Sequence, residues 1–255
     1  FYPSFSQNVV INQILQNIEN ALIQPKEKQT EFLSVAIVGA GPTGVELSGA
    51  LAELRKRVLP KDYPELDFSQ MTITLIEASP KVLSVMSDVS SKKSKEYLEK
   101  LGVNVLTSTS VTSYDGIEIS LSNGTKIKTK NLIWAAGVVA NTIDGIDGDK
   151  RGRGNRIKVN RFNQVEGFEN IFAIGDVALM NTEKYPNGHP QVATVANEQA
   201  DCLVQDLKNC INKTKLIQYE YSDKGSMATI GRHLAVVDLP SFKFQGFFAW
   251  LFWMF

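Results

Sequence analysis

Three glycines, Gly39, Gly41 and Gly44, stand in the spacing Gly-x-Gly-x-x-Gly within "IVGAGPTGVE", residues 37–46. Such a loop between a strand and a helix can hold a dinucleotide, because each glycine meets a separate need. One makes a tight turn, one lets the backbone approach a pyrophosphate, and one lets the helix pack close to the strand. The helix behind the loop then faces the phosphates with free N–H groups and the positive end of its dipole. Pro42 and Thr43 complete the loop. The apolar strand Val35 to Val38 before it and the helical "VELSGALAELRKRV" after it supply the context that a plain tight turn would lack.

Nucleotide choice rests with an acid at the end of the second strand. Glu77, in "TLIEAS", can accept both ribose hydroxyls of NAD and would repel a 2′-phosphate. It lies 33 residues after Gly44, against a usual interval of ~20, because "RKRVLPKDYPELDFSQ" is inserted between helix and strand. Lys81 nearby leaves some tolerance for NADPH, and NADH is the expected nucleotide. Glu46 has two readings that the sequence leaves open. Thr43-x-x-Glu46 fits a capping box, a structural role; alternatively, the carboxylate projects from the first helical turn toward a bound nicotinamide. A second motif lies far downstream. "ENIFAIGDVA" is a short apolar strand ending in Gly175-Asp176. An aspartate there either caps a helix or hydrogen-bonds the ribityl or pyrophosphate part of a flavin nucleotide.

The elements around these residues follow from periodicity. Val10, Ile14, Ile18 and Leu22 recur every four residues and predict an amphipathic helix over 9–23. "QPKEKQTE" reads as a polar connection. "MTITLIE" is a strand, "SSKKSKEYLEKLG" a helix closing on Gly102, and "VNVLT" another strand. Asn123-Gly124 joins two alternating runs and is a strong hairpin signal. Residues 34–137 therefore read β-α-β-α-β, an antiparallel ribbon and a returning strand: a mononucleotide-binding unit with a β-meander crossover. Gly49 is expected to let the helix pack closely on its sheet. Short strands follow over 151–180, a helix over 190–211 and further strands over 219–244. The Gly- and charge-rich stretch 145–156 is expected to be disordered in part.

Composition narrows the classes. Lys plus Arg number 27 and Asp plus Glu 27, so nothing argues for electrostatic binding of nucleic acid. Cys202 and Cys210, if both lie on one helix, stand ~12 Å apart along its axis, too far for a disulfide, and are expected to be reduced. His189 and His233 stand alone, and no cluster suggests a metal. The N-terminal "FYPSFSQNVV" has no signal-peptide pattern. Eight of the 23 aromatic residues fall in 242–255, ending in nine unbroken apolar residues from Phe247. That segment is too short to span a bilayer, which needs ~20 residues. With Lys243 beside it, it suits an interfacial anchor; a buried core segment or a homodimer contact is the alternative.

Taken together, "SVAIVGAGPTGVELSGALAEL", "NLIWAAGVVAN", "NIFAIGDVA", "YSDKGSMATIGRHLAVVDL" and "FKFQGFFAWLFWMF" resemble type II NADH dehydrogenases, single-subunit NADH:quinone oxidoreductases among the two-dinucleotide-binding flavoproteins. The resemblance spans roughly residues 9–255. It implies an α/β fold, with a Rossmann-like NAD domain inserted in an FAD domain that is only partly present. Residues 1–33 are then a helix and connection of the FAD domain, 34–142 the NAD domain, 143–215 the C-terminal part of the FAD domain, and 216–255 strands and a membrane-associating aromatic tail. The family's first FAD glycine loop is absent and both ends read as cut, so the expectation is a C-terminal portion of the enzyme, not fully active alone.

The resemblance also implies site residues. Ala136 and Gly137 join the NAD site. Gly175, Asp176 and the helix N-terminus at Val192 and Ala193 belong to FAD, the helix dipole stabilising the negative charge of reduced flavin. The family carries two glutamines near the quinone pocket on this helix. Here Gln199 is preceded by Glu198, and Gln191 stands upstream where it could line the same cavity. The implied partners are a membrane quinone and the membrane surface, with a peripheral location on the cytoplasmic side of the cell membrane. A disulfide reductase would need a redox cysteine pair, and none has usable spacing. The alternatives are a soluble NADH-dependent ferredoxin or rubredoxin reductase or, for the isolated chain, an NAD-binding module.

Overall fold

A computed structural model describes residues 7–254; Phe255 and the N-terminal "FYPSFS" lie outside the described residues. The chain forms two compact units, one comprising the residues up to Gly137 together with those from Lys224 onward, the other Val138–Asp223.

The first unit opens with α1 (Gln7–Leu22) and α2 (Lys26–Leu33). The periodicity of α1 is realised in part: Ile14 and Ile18 are buried and Val10 half-buried, but Ala21 rather than the exposed Leu22 completes the buried face, and Asn17 donates from Nδ2 to Asn131 Oδ1 at 2.8 Å. The stretch read as a polar connection is instead the helix α2. Its polar run hides the pattern, since only its last two residues, Phe32 and Leu33, are apolar and Leu33 alone is buried. Pro25 precedes it with an extended ψ of 145°, and the Lys28 N–H bonds back to the Pro25 carbonyl at 2.9 Å.

The sheet then follows: β1 (Val35–Val38), α3 (Pro42–Arg57), the short α4 (Leu59–Asp62), β2 (Ile73–Ile76), α5 (Asp88–Lys100) and β3 (Val103–Leu106). Next come an antiparallel ribbon, β4 (Val111–Tyr114), β5 (Glu118–Leu121) and β6 (Lys126–Lys128), and the returning strand β7 (Asn131–Trp134). The strand order β3-β2-β1-β7 is parallel throughout. Every residue of β1 and β2 is buried, as a parallel sheet covered on both faces requires. The helices cover one face and the β4-β5-β6 ribbon the other, where Ala36, Val38 and Ile76 pack with Ile119 and Leu121. Asn123-Gly124 makes the hairpin, with Gly124 at φ +82°. The inserted stretch between α3 and β2 is used up by α4 and by a 3-10 turn at Phe68–Gln70 that buries Phe68.

The chain returns to this unit as β10 (Ser226–Thr229), β11 (Ala235–Asp238) and β12 (Lys243–Gly246), an antiparallel sheet, and α7 (Phe247–Met254), once β8 (Ile157–Lys158), β9 (Ala178–Leu179) and α6 (Ala193–Ile211) have formed the second unit. Ala228, Ile230 and Val236 enter the same core as β1 and α3. The Asp238 carboxylate clasps the start of α5, accepting from Ser87 N at 2.6 Å and from the Ser90 hydroxyl at 2.6 Å.

In the second unit, Ile157, Val159, Val165, Ala178, Met180, Val195, Tyr219 and Tyr221 form the core. The stretch expected to be disordered forms two 3-10 turns, Gly148–Lys150 and Arg153–Asn155. The reason is Arg151, whose guanidinium donates to the carbonyls of Ile143 and Ile146 at 2.9 and 2.7 Å.

Candidate functional site

The glycine loop leaves β1 and enters α3 at the end of the sheet. Gly39 has φ +100°, and a Cβ on it would stand 2.6 Å from both Ala135 O and Ala136 Cα. The loop therefore lies directly on the Ala135–Gly137 segment that follows β7. A Cβ on Gly44 would meet Gly39 O at 1.8 Å, whereas one on Gly41 would meet nothing within 4 Å. Two glycines thus bring the backbone together and the third leaves an open face. Gly41 is the N-cap of α3, Pro42 occupies its first turn and no side chain caps it. Pro42 and Thr43 are exposed at this end. A site of this shape suits a pyrophosphate on the helix N-terminus.

Glu77 closes the loop from the second strand. Its Oε2 accepts from Ala40 N at 2.7 Å and its Oε1 from Ser79 N at 2.7 Å. Partial burial pushes its pKa up, but the N–H groups of Ser79 and Ala40 outweigh that and hold the carboxyl below the usual range. The Ser79 hydroxyl and the Ala78 N–H also bear on this carboxylate, so a ribose hydroxyl would share it with them. Lys81 is engaged elsewhere, its ammonium pairing with Asp88 at 2.7 Å.

Of the two readings of Glu46, the capping box fails, because the N-cap is Gly41 and Thr43 already lies inside the helix. Glu46 Oε1 instead accepts the N–H of Thr229, on β10, at 3.2 Å. Gly49 also differs from expectation. It packs not on the parallel sheet but on the β10–β11 turn, where an added Cβ would stand 2.4 Å from Gly231 N. Neither contact had a signal in the sequence, since the partners lie about 180 residues downstream.

Within the second unit, Gly175 (φ +68°) and Asp176 form a 3-10 turn beside the N-terminus of α6. The Gln191 side chain donates to Asp176 O at 3.0 Å. Val192 is the N-cap of α6 with no side-chain cap, and Val192 and Ala193 are exposed. Gln199, one and a half turns into the helix, is buried, and its Oε1 accepts the Gly175 N–H at 2.7 Å. Gly175, Asp176, Gln191, Val192 and Ala193 are therefore one cluster, braced from beneath by Gln199. Sequence reasoning missed Arg156, a buried guanidinium whose Nε donates to Ala178 O and whose terminal nitrogen donates to His189 O, at 2.9 and 3.0 Å. Burial lowers its pKa while Asp176 raises it.

His189 is buried, with Nε2 3.2 Å from Glu220 Oε1 and the rings of Tyr185 and Tyr219 edge-on to it. Burial lowers its pKa against the opposing pull of Glu220, which fits a neutral ring donating from Nε2. It is a hydrogen-bonded structural residue. Cys202 and Cys210 are both free thiols on α6, and burial pushes the Cys202 thiol up.

At the other end of the chain, α7 buries Ala249 and rests Trp250 on His233, ring centroids 4.5 Å apart. Phe248 remains 76% exposed, and Phe252, Trp253 and Met254 are about half exposed. Among the described residues, no helix is long and apolar enough to cross a membrane.

A parallel sheet with a glycine-loop helix on one face, a β-meander on the other and an acid at the end of the second strand defines a dinucleotide-binding protein of the two-nucleotide flavoprotein type. The chain belongs to the pyridine nucleotide-disulphide oxidoreductase family, whose model matches residues 7–200. It is 34% identical over 256 residues to the type II NADH:quinone oxidoreductase NdhA of Mycobacterium tuberculosis, covering 95% of this chain and 53% of that protein. It is 32% identical over 243 residues to Ndh of the same organism, covering 89% and 50%. The chain thus spans about half the length of the curated relatives it matches. The structure of NDH2 from Plasmodium falciparum in complex with NADH superposes with a TM-score of 0.85 at 22% identity, covering 94% of this chain and 65% of that one.

Proposed function

We propose that this chain carries the NADH site and part of the flavin site of a type II NADH:quinone oxidoreductase peripheral to a membrane. When bound, the two cofactors supply hydride transfer from the nicotinamide to FAD and onward passage of two electrons to a quinone. The residues of this chain bind and orient. Gly39, Gly41, Pro42, Thr43 and Gly44 cradle the pyrophosphate at the start of α3, and Ala136 and Gly137 form the adjoining wall. Glu77 receives the ribose hydroxyls and disfavours a 2′-phosphate, which makes NADH the substrate. Glu46, oriented by the Thr229 N–H, positions the nicotinamide.

In the second unit, Gly175 and Asp176 face the flavin nucleotide. The uncapped α6 N-terminus at Val192 and Ala193 is suited to stabilising negative charge on the reduced ring system. Gln191 lines the approach for the quinone, and Gln199 contributes by holding the Gly175 turn. The exposed aromatic face of α7 rests in the membrane interface, on the cytoplasmic side where NADH is available. NAD(H) fits the open face at Gly41, and FAD fits the convergence of the Gly175–Asp176 turn with an uncapped helix end.

The observation that carries the reading is the placement of the Glu77 carboxylate, with one oxygen on the Ala40 N–H of the glycine loop and the other on the Ser79 N–H of its own strand-end turn. The first test is a visible absorbance spectrum of the protein followed by anaerobic NADH titration. A flavin band that bleaches with NADH and recovers on adding a short-chain quinone supports it. Reduction of a ferredoxin but of no quinone would move the assignment to a soluble ferredoxin-reductase-like enzyme, a reading against which the exposed aromatic helix speaks.

A further inference from the structure

Along the outer flank of α3 runs a groove of about 350 Å³ whose lining includes Ala50, Leu54, Val58, Thr229, Gly231 and Arg232. Leu54 and Val58 are about 40% exposed there. Two carboxylates also line it, and both are committed: Glu46 accepts the Thr229 N–H, and Glu53 pairs with Arg57 at 2.5 Å. Arg232 is exposed and makes no hydrogen bond or ion pair among the described residues. It sits in the β10–β11 turn beside His233, whose ring lies edge-on to Trp250 at 4.5 Å and 6.2 Å from Phe247. The turn thus places Arg232 of the groove next to His233, the residue on which α7 rests. Over residues 224–254 the chain carries one carboxylate, Asp238, and it is turned inward onto Ser87 and Ser90. The charges this ribbon offers outward are cations.

We propose that the turn and groove bind the phosphate of an anionic phospholipid. Arg232 meets the phosphate with its planar fork, the geometry in which guanidinium groups bind phosphate bidentately. An acyl chain lies along Ala50, Leu54 and Val58, while Trp250 and Phe247 sit at headgroup level beside it. The aromatic rings supply burial in the interface irrespective of lipid charge, and Arg232 supplies the headgroup preference. The proposal rests on the membrane reading given above and specifies which lipid the membrane must contain.

The test is co-sedimentation of the protein with vesicles of phosphatidylcholine alone and with vesicles in which phosphatidylglycerol replaces part of it. The wild type is compared with Arg232→Gln and with the double variant Phe248→Ser/Trp253→Ser. The expected result is stronger binding to the phosphatidylglycerol vesicles, with an about five-fold loss for Arg232→Gln confined to them, and loss on both vesicles for the double variant. Equal binding to both vesicles, or an Arg232→Gln protein that keeps the wild-type preference, overturns the headgroup site while the membrane reading stands. Absence of binding to either vesicle overturns both. Displacement by inorganic phosphate beyond that caused by chloride of equal ionic strength would assign the site to a soluble phosphate and also overturn the proposal.

Discussion

Replacing Gly49 by alanine tests the contact that joins the nucleotide helix to the C-terminal ribbon. The added methyl group would stand 2.4 Å from Gly231 N, 3.1 Å from the Ile230 carbonyl carbon and 3.2 Å from Gly231 Cα. All three are backbone atoms, so no flexible side-chain end can swing aside. Carbon atoms rest at ~3.5–4.0 Å from their neighbours, so the turn must retreat by ~1 Å. It resists, because β10 is held by β11, and Ala228 of β10 and Ile230 of the turn are buried in the shared core. Overpacking of this kind costs ~1–3 kcal/mol. For a domain of this size each kcal/mol lowers the midpoint by ~2–4 °C, so the expected fall in Tm is roughly 2–12 °C.

The same retreat pulls Thr229 away from Glu46, whose hydrogen bond is already 3.2 Å long and would pass the ~3.5 Å limit. Thermal unfolding followed by circular dichroism is the assay, with Ala50→Ser, an exposed neighbour on the same helix, as control. A Gly49→Ala protein that unfolds with the control would show that α3 and the turn are not in tight contact, and the account of how Glu46 is oriented would go with it.

Three further perturbations separate binding from stability. Gly41→Ala places a methyl group where nothing lies within 4 Å, so the unfolding free energy should stay within about 0.5 kcal/mol of wild type while NADH affinity, read by nucleotide fluorescence, falls at least tenfold; retained affinity would remove the pyrophosphate from this face. Glu77→Gln can accept from only one of the Ala40 and Ser79 N–H groups with its carbonyl oxygen, which should cost about 1 kcal/mol in denaturant unfolding. It should also narrow the preference for NADH over NADPH in steady-state kinetics, whereas an unchanged preference would place the ribose elsewhere. His189 has a folded-state pKa below its ordinary 6.5, burial outweighing Glu220, with Arg161 and Arg156 also opposing charge. The unfolded chain then binds more protons below that pH. The stabilisation is complete above pH 6.5 and is lost as the pH falls toward the folded value. Unfolding free energies of wild type and His189→Gln between pH 7.5 and 5 should diverge accordingly, and parallel curves would mean that the ring titrates alike in the folded and unfolded chain.

Much of this site was legible because its determinants are local. Gly39, Gly41 and Gly44 act within one turn, and the strand before them and helix after them have strong periods of their own. Asn123-Gly124 declares its hairpin in two residues. Glu77 could be found despite its long interval because the inserted stretch ends in an unmistakable strand. What escaped was non-local or pattern-free. The helix α2 is too short and too polar to show a period. Gln199 reads as a helical glutamine until the fold brings it under Gly175, where burial turns its amide oxygen into the acceptor for a backbone N–H. Arg156 sits in a charge-rich run that looks solvated, and only the closure of the second unit shows it donating to two carbonyls.

The contacts on α3 are the strongest instance, because they alter what the helix is for. A glycine-loop helix alone needs an N-terminus for the phosphates and an apolar stripe for its sheet, and residues 42–57 supply both. They also supply a third face, with Glu46 on the Thr229 N–H and Gly49 against Gly231, that makes sense only with the C-terminal ribbon in place. That ribbon carries the aromatic helix at its far edge, resting on His233 through Trp250. The glycine-loop helix and the helix that exposes aromatic rings are thus separated by one turn of backbone, Ile230 to His233. On the α3 side a change meets packed backbone at Gly231, and on the α7 side it meets the His233 ring. For that reason substitutions at Gly49 and Gly231, neither of them in the glycine loop, are expected to report on nucleotide binding as well as on stability.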